Sequence, residues 1–119
     1  MNRRRYLALA SAIPLAGCTG RPGDPITMLA VNQDDSQHSV TVWLVRQERL
    51  AIANTVEVSS GDTAEIGTLS WERGRYRVTV RVDGEAVLAR EFLSEEWFNQ
   101  LDVFIGSDET IELNRGTAA

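Results

Sequence analysis

Residues Arg75–Val82 alternate strictly between apolar and polar side chains, and this pattern limits the possible folds more than any other. A strand places successive side chains on opposite faces, so the alternation predicts a strand with one buried face. The residues expected inside are Tyr76, Val78, Val80 and Val82, and those expected outside are Arg75, Arg77, Thr79 and Arg81.

The same alternation recurs along the chain from Ile26 onward, and no stretch sustains a helical period. Turn residues separate seven further segments that fit short strands: Ile26–Val31, Ser39–Arg46, Leu50–Val58, Thr63–Leu69, Glu85–Phe92, Leu101–Ile105 and Thr110–Leu113. Short strands at this spacing pack as two facing sheets. The sequence therefore predicts an all-β fold, an antiparallel β-sandwich of seven to eight strands.

The dipeptide Asp83-Gly84 predicts a tight hairpin after the strand that ends at Val82. Loop length sets the register, and a two-residue loop would place Arg77 opposite Arg90. A three-residue loop with Gly84 as a left-handed bulge residue avoids these facing like charges. We therefore predict the bulged loop, which pairs Val78 with Leu88, Val80 with Ala86 and Arg81 with Glu85.

The segment Glu72-Arg73-Gly74-Arg75-Tyr76 leads into the same strand, with an acidic residue, glycine and tyrosine at alternate positions. It resembles the tyrosine corner of immunoglobulin-like domains, in which the tyrosine hydroxyl bonds to the backbone a few residues upstream. The Gly-x-Tyr strand start is also similar to that of fibronectin type III and carboxypeptidase-regulatory-like domains. The resemblance implies an immunoglobulin-like or fibronectin type III-like sandwich.

The N-terminal residues have the layout of an export signal, in which Arg3-Arg4-Arg5 precede an apolar run over Tyr6–Pro14. The run is far shorter than the ~20 apolar residues that span a bilayer. Arg3, Arg4, Tyr6 and Leu7 resemble the twin-arginine export motif, and Leu15, Ala16, Gly17 and Cys18 resemble the lipobox of prokaryotic lipoproteins. The resemblance implies cleavage before Cys18 and a lipid on its thiol, which would hold the protein on the extracytoplasmic face of the cell membrane.

These features predict four parts: a helical signal peptide over 1–17, the lipidated Cys18 with a Gly/Pro spacer over 18–25, a sandwich domain over 26–114, and a frayed tail over 115–119. The seven residues after Cys18 reach at most roughly 23 Å, so the domain is expected to lie close to the membrane. Cys18 is the only cysteine, which leaves the fold without a disulfide.

The charge is strongly acidic once the signal is removed. All 17 acidic residues follow Cys18, whereas three of the 12 arginines leave with the signal, so the mature charge is −8. The chain contains no lysine, and an acidic, lysine-free chain resembles proteins of extreme halophiles. Nucleic acid requires a basic footprint, so it is not expected as a partner.

Few residues are available for catalysis or for metal binding. His38 is the only histidine, and its place in a polar turn predicts a solvated side chain. Asp34 and Asp35, with Asn32 and Ser36, offer oxygen atoms of the kind that bind Ca²⁺, but these residue types also form plain turns. We expect the plain turn, no metal and no cofactor.

Aromatic residues crowd the segment that follows the predicted hairpin. Ser94-Glu95-Glu96-Trp97 predicts one helical turn with Ser94 as its cap. Two interpretations of Trp97 and Phe98 stay open: they fill one end of the core, or they join Trp43 and Val45 in an exposed patch that binds a partner.

The sequence is most consistent with a non-catalytic interaction or accessory module anchored to the membrane by the lipid on Cys18, with an unknown protein or glycan as partner. One alternative is a protein that binds a small solute or glycan in a concave site lined by Trp43 or Trp97. The third, an enzyme, would require a cleft in which carboxylates with perturbed pKa values converge.

Overall fold

A computed structural model describes residues 23–108 and 110–117. Within these residues the chain forms eight strands: β1 (Pro25–Asn32), β2 (His38–Arg46), β3 (Arg49–Val58), β4 (Thr63–Ser70), β5 (Gly74–Val82), β6 (Glu85–Ser94), β7 (Gln100–Ile105) and β8 (Ile111–Gly116). Two four-stranded sheets face each other, in the orders β4-β1-β7-β8 and β3-β2-β5-β6. The predicted β-sandwich is confirmed, and the predicted signal helix lies outside the described residues.

The alternation read from the sequence fixes which side of each strand is buried. On β5 the four predicted inward side chains are buried, and the same holds for Val40, Val42 and Leu44 on β2. The opposing sheet contributes Ile26 and Met28 from β1 together with residues of β7. In the part of the chain that the structure describes, no helix is long and apolar enough to cross a membrane.

One strand pairing departs from the antiparallel pattern. β1 and β7 run parallel, with Leu29 opposite Asp102, because the chain crosses from one sheet to the other between β6 and β7. Side chains alternate with the same period in parallel and antiparallel strands, so the sequence pattern does not distinguish the two.

The tyrosine corner is present. The hydroxyl of Tyr76 donates to the carbonyl of Glu72 at 2.6 Å and accepts from the backbone N–H of the same residue at 3.1 Å. Gly74 has a φ of +146°, and a Cβ there would lie 2.5 Å from the side chain of Gln47. Glycine is therefore required at the bend that brings the start of β5 against the β2–β3 turn.

The predicted three-residue loop between β5 and β6 is wrong. Val82 lies directly opposite Glu85, so the loop contains only Asp83 and Gly84. Both residues have positive φ values, +54° and +87°, as a type I′ turn requires. Aspartate tolerates this left-handed conformation, so the Asp-Gly pair closes the hairpin without a third residue.

A bulge farther along β6 keeps Arg77 and Arg90 from facing each other. The ladder shifts by one residue at Val87, which has no counterpart on β5, and the pairing that follows places Arg77 opposite Glu91. Without this bulge Arg77 would face Arg90. A bulge therefore does separate the two arginines, but it lies inside the strand and not in the turn.

The predicted helical turn over Ser94-Glu95-Glu96-Trp97 is also wrong. β6 continues to Ser94, and residues 95–99 form an irregular connection. The Ser94 hydroxyl accepts from the indole Nε1 of Trp71 at 3.1 Å and donates to the carbonyl of Glu96 at 2.9 Å. The serine thus bonds across the sandwich and within the connection, and does not cap a helix.

Both ends of the described chain are held more firmly than the sequence predicts. β8 extends to Gly116, whose carbonyl accepts from the N–H of Asn99 at 3.1 Å, so residues 115 and 116 belong to the sheet and not to a frayed tail. At the other end, Gly23 donates to the carbonyl of Trp71, and Asp24 accepts from its N–H. The last spacer residues are therefore bonded to the domain.

Candidate functional site: the outer sheet face and its neighbours

His38 lies between two carboxylates. Its Nε2 is 2.7 Å from Oδ2 of Asp34, and its Nδ1 is 2.6 Å from Oδ2 of Asp83. The residue is 8 % exposed, so the prediction of a solvated turn histidine is wrong. The missed partner, Asp83, lies 45 residues away in the β5–β6 turn, and only the tertiary fold brings it to the start of β2.

The charges in this cluster stabilise one another. The hydrogen bond to Asp34, followed by that to Asp83, raises the pKa of His38 above its usual 6.5. The bond from His38 is the main cause that lowers the pKa of Asp34, and the N–H of Ser39, followed by His38, lowers that of Asp83. The imidazolium form donates through both nitrogens. The cluster therefore ties the β1–β2 loop to the β5–β6 turn and leaves neither ring nitrogen free to accept a proton.

The residues considered for Ca²⁺ bond to their own turn. Oδ1 of Asn32 accepts from the N–H of Asp34 at 2.9 Å, and its Nδ2 donates to the carbonyls of Ser36 and Val58. Oδ1 of Asp34 accepts from the N–H of Asp35. Within residues 23–108 and 110–117, no group of three or more His, Cys, Asp or Glu side chains is arranged to hold a metal ion.

Phe98 is part of the core. It is 3 % exposed, and its ring packs edge-on against Tyr76 and Phe92 at centroid distances of 5.4 and 5.9 Å. Tyr76 and Phe92 are stacked at 5.3 Å, and the guanidinium of Arg115 lies 4.4 Å from the centroid of the Phe92 ring. The core interpretation therefore describes this side chain, whose ring lies away from the surface.

Trp97 lies at the margin of the core and lines an open cleft. The cleft has a volume of about 580 Å³ and is bounded by the β6–β7 connection and the end of β8: Leu93, Ser94, Glu95, Glu96, Trp97, Phe98, Arg115, Gly116 and Thr117. The indole Nε1 of Trp97 is buried and has no hydrogen-bond partner. The part of Trp97 that is accessible from the cleft is therefore its ring, and not the buried donor.

Trp43 and Val45 lie elsewhere, on the outward face of the β3-β2-β5-β6 sheet. We call this surface the Trp43 face. The pairing places Trp43 in a row with Ala53, Thr79 and Ala89, so small side chains flank the indole on the neighbouring strands. Trp43 is partly exposed, and the guanidinium of Arg81 lies 5.5 Å from its ring centroid. The structure thus does not bring Trp43 and Val45 into one surface with Phe98.

Exposed apolar side chains concentrate on the Trp43 face and its edges. Among the described residues, the large hydrophobic side chains that are exposed are Leu50, Val87 and Leu93, at 60, 40 and 52 %. All three belong to β3 and β6, the edge strands of this sheet. The sequence named Trp43 and Val45 from composition, but the three others are recognised only when the strand register is known.

Arginines occupy the middle of the Trp43 face. Arg75, Arg77 and Arg81 project outward from β5, an inner strand of the sheet. Glu91 on the neighbouring edge strand lies opposite Arg77, and its Oε2 is 3.9 Å from Nη1 of Arg75. A central tryptophan and arginines are residue types that are enriched in protein interfaces.

The predicted export and lipidation residues lie outside the described residues. Arg3, Arg4, Tyr6 and Leu7, the lipobox residues Leu15, Ala16 and Gly17, and Cys18 all precede Gly23. Their roles stay predictions from the sequence.

Comparison with known proteins bears on the family to which the chain belongs. A family model described as "Halobacterial Ig-like domain" matches residues 36–119, which include β2 to β8 and more than two thirds of the chain. No curated protein matches the chain.

Proposed function

The chain belongs to the halobacterial Ig-like domain family, and from this premise we propose that it is a non-catalytic interaction module on the extracytoplasmic face of the cell membrane. A lipid on Cys18 would hold it there, and the Trp43 face would bind a protein partner. The observation that carries the proposal is that Trp43 and Val45 point outward on one sheet face, with the exposed Leu50 paired to Val45 at its edge. The acidic, lysine-free composition agrees with the halobacterial family.

The size and composition of the Trp43 face support binding. Four strands spaced by ~4.8 Å and about nine residues long at ~3.4 Å each give a face of roughly 19 by 30 Å. A standard interface removes about 800 Å² of accessible surface per partner, which a pleated face of these dimensions can supply. Tryptophan and arginine at its centre are the residue types that most often dominate binding energy.

The sequence and the start of the domain support the membrane anchor. The lipobox-like Leu15-Ala16-Gly17-Cys18 is followed by Gly23, the first described residue, which is bonded to Trp71. Five residue steps span at most roughly 18 Å. A domain on so short a tether would stay beside the lipid headgroups.

The arrangement of the polar groups supports a role without catalysis. His38 donates through both ring nitrogens to Asp34 and Asp83, so it lacks the free nitrogen that a general base requires. The three side chains connect two loops of the sandwich, and this structural task accounts for the burial of His38 and Asp34.

Fractionation of cells that produce the full chain tests the anchor. We expect the parent protein in the membrane fraction and the Cys18→Ser variant in the soluble or secreted fraction. A Cys18→Ser variant that still sediments with membranes at high salt would contradict lipid anchoring. Cys18→Ala, which also removes the thiol, is the matched control and should behave like the serine variant.

Affinity capture from membranes in high salt tests the binding role. We expect the parent protein to retain partners that the Trp43→Ala variant loses, while its circular dichroism spectrum stays unchanged. Thr55→Ala, which changes an exposed residue at the margin of the same face, is the control and should retain them. Equal capture by the parent protein and Trp43→Ala would contradict the proposal.

A second candidate function is binding of a small solute or glycan in the cleft beside Trp97. The partly exposed ring of Trp97 in the wall of the cleft favours it, since sugars pack on aromatic rings. Titration with a panel of mono- and oligosaccharides would change the tryptophan fluorescence of the parent protein but not that of Trp97→Phe. No change with any sugar would leave the Trp43 face as the better-supported site.

A further inference from the structure

The outer face of the second sheet carries carboxylates, whereas on the Trp43 face Arg75, Arg77 and Arg81 outnumber Glu57 and Glu91. On the outward side of the β4-β1-β7-β8 sheet, Asp102 and Glu65 flank Leu29 from both neighbouring strands. Phe104 of β7 lies beside Glu112 of β8. We call this surface the Asp102 face. Among the described residues, no arginine occupies an outward position on these four strands, since Arg115 is directed at the Phe92 ring.

The Asp102 face also has an apolar centre. Leu29 and Val31 on β1 and Phe104 on β7 are partly exposed and form neighbouring rows of the ladder. Each outer face of the sandwich thus has apolar residues in the middle of its sheet. Arginines and a smaller number of carboxylates accompany them on the Trp43 face, and carboxylates accompany them on the Asp102 face.

We propose that the Trp43 face of one copy binds the Asp102 face of the next, so that neighbouring copies associate head to tail. This inference rests on the proposed function and names the partner of the Trp43 face as a second copy of this chain. Two Trp43 faces in contact would bring the arginines of two β5 strands together, whereas the unlike faces pair arginines with carboxylates. A contact between unlike faces does not close by two-fold symmetry, so it would build rows of copies.

The position of the tether is compatible with such rows. The chain enters the domain at Gly23, and β1 leads away from that point along the length of its sheet. Both outer faces run alongside the strands, so copies tethered to one membrane would present unlike faces to each other sideways. Every copy in a row could then keep its anchor in the same bilayer.

At high salt the apolar groups and the charged groups would contribute differently to the proposed contact between copies. The Debye length is ~3 Å at 1 M salt, so charges act only at direct contact, and burial of the apolar centres would supply most of the affinity. The arginines and carboxylates would then determine which faces meet, because the wrong pairing leaves like charges in contact.

Cysteine cross-linking in membranes from cells that produce the full chain tests the proposal. Thr79 on β5 and Thr27 on β1 lie on the outward sides of the two sheets, and Cys18 is the only native cysteine. With a short bismaleimide, the double variant Thr79→Cys/Thr27→Cys should give a ladder of dimers, trimers and larger species. Each single variant, and the parent chain, should stay monomeric.

The Trp43→Ala substitution in the double-cysteine background tests which face is responsible. We expect the ladder to weaken at least about tenfold, the effect typical of truncating a tryptophan at the centre of an interface. Arg77→Glu should also weaken it, and Asp102→Arg in the same chain should restore part of it. These surface variants are checked for an unchanged circular dichroism spectrum.

Several outcomes would overturn the proposal. A dimer from Thr79→Cys alone would indicate that like faces meet, and a ladder that Trp43→Ala leaves unchanged would indicate a different interface. Absence of any ladder would refute a second copy as the partner. Cross-linking of Thr79→Cys to a different protein would do the same while leaving the proposed interaction role intact, and fractionation of the same samples reports on the anchor separately.

Discussion

Replacing Tyr76 by phenylalanine removes one oxygen atom from the tyrosine corner and leaves the ring in place. The side chain is fully buried, and its hydroxyl makes two hydrogen bonds to the backbone of Glu72. At about 1 kcal/mol for each lost hydrogen bond, the substitution should lower the free energy of unfolding by about 2 kcal/mol. For a domain of this size, a loss of 2 kcal/mol lowers Tm by roughly 8–16 °C.

Urea unfolding in high salt, followed by tryptophan fluorescence, measures the change, and an unchanged m value shows that the same transition is compared. Thr41→Val is the matched control, because it removes a hydroxyl bonded to Thr55 on the outer face, where the cost should stay within about 0.5 kcal/mol. Glu72→Gln should cost no more than about 1 kcal/mol, since Tyr76 bonds only to the backbone of that residue and the substitution removes only the partly exposed ion pair with Arg46. If Tyr76→Phe costs no more than Thr41→Val, the hydroxyl does not hold the corner and the reasoning fails.

Three further predictions concern the charge cluster, the bulge and the aromatic core. Stability should fall as the pH rises past 6.5 through the raised pKa of His38, because protonated His38 binds both carboxylates. It should also fall below pH 3.8, as Asp34 and Asp83 become protonated below their usual pKa. Thermal melts across pH measure both changes, and His38→Phe should flatten the one at higher pH. Deletion of Val87 should leave the protein folded, as seen by circular dichroism, because Val87 has no counterpart on β5 and its removal keeps Leu88 opposite Val80 and Glu91 opposite Arg77. Val87→Ala should change the free energy of unfolding by less than about 0.5 kcal/mol, and loss of the β-sheet spectrum in the deletion variant would contradict the register. Phe98→Ala should cost about 3–5 kcal/mol in urea unfolding and Trp97→Ala clearly less, since Phe98 is buried and Trp97 is only partly so; equal costs would contradict this assignment.

The strands could be predicted from the sequence because their signal is local. Each strand buries one face, so the alternation that is visible in Arg75–Val82 reports directly on the fold. The tyrosine corner was predictable for the same reason, since Tyr76 bonds to a residue only four positions away.

Two kinds of feature could not be predicted from the sequence. In one kind the same residues suit two local structures, and in the other the contact joins residues far apart in the chain. Asp83-Gly84 suits both a two-residue turn and a bulged loop, and the charge repulsion that favoured the bulge is relieved at Val87 instead. Ser94 is a good helix cap, but a hydrogen bond from Trp71 in the β4–β5 connection engages its hydroxyl. The carboxylates around His38 come from two loops that are far apart in sequence.

The candidate binding surface was predictable only in part. Composition indicated aromatic residues as the binding residues, and Trp43 does lie on an outer face. Phe98 is also aromatic, but it is buried in the core. Whether a ring points inward or outward depends on the strand register and on the path of the β6–β7 connection. The lipid on Cys18 stays a prediction from its sequence motif.

The hydrogen bonds between residues 23–24 and Trp71 have a mechanical consequence. If Cys18 carries the proposed lipid, a pull on it by membrane undulation or by drag on the domain would reach the folded domain at this point. Trp71 is 5 % exposed, and its indole bonds to Ser94 on the opposite sheet. Both sheets would therefore resist the force before the first residues of β1 could separate from their sheet.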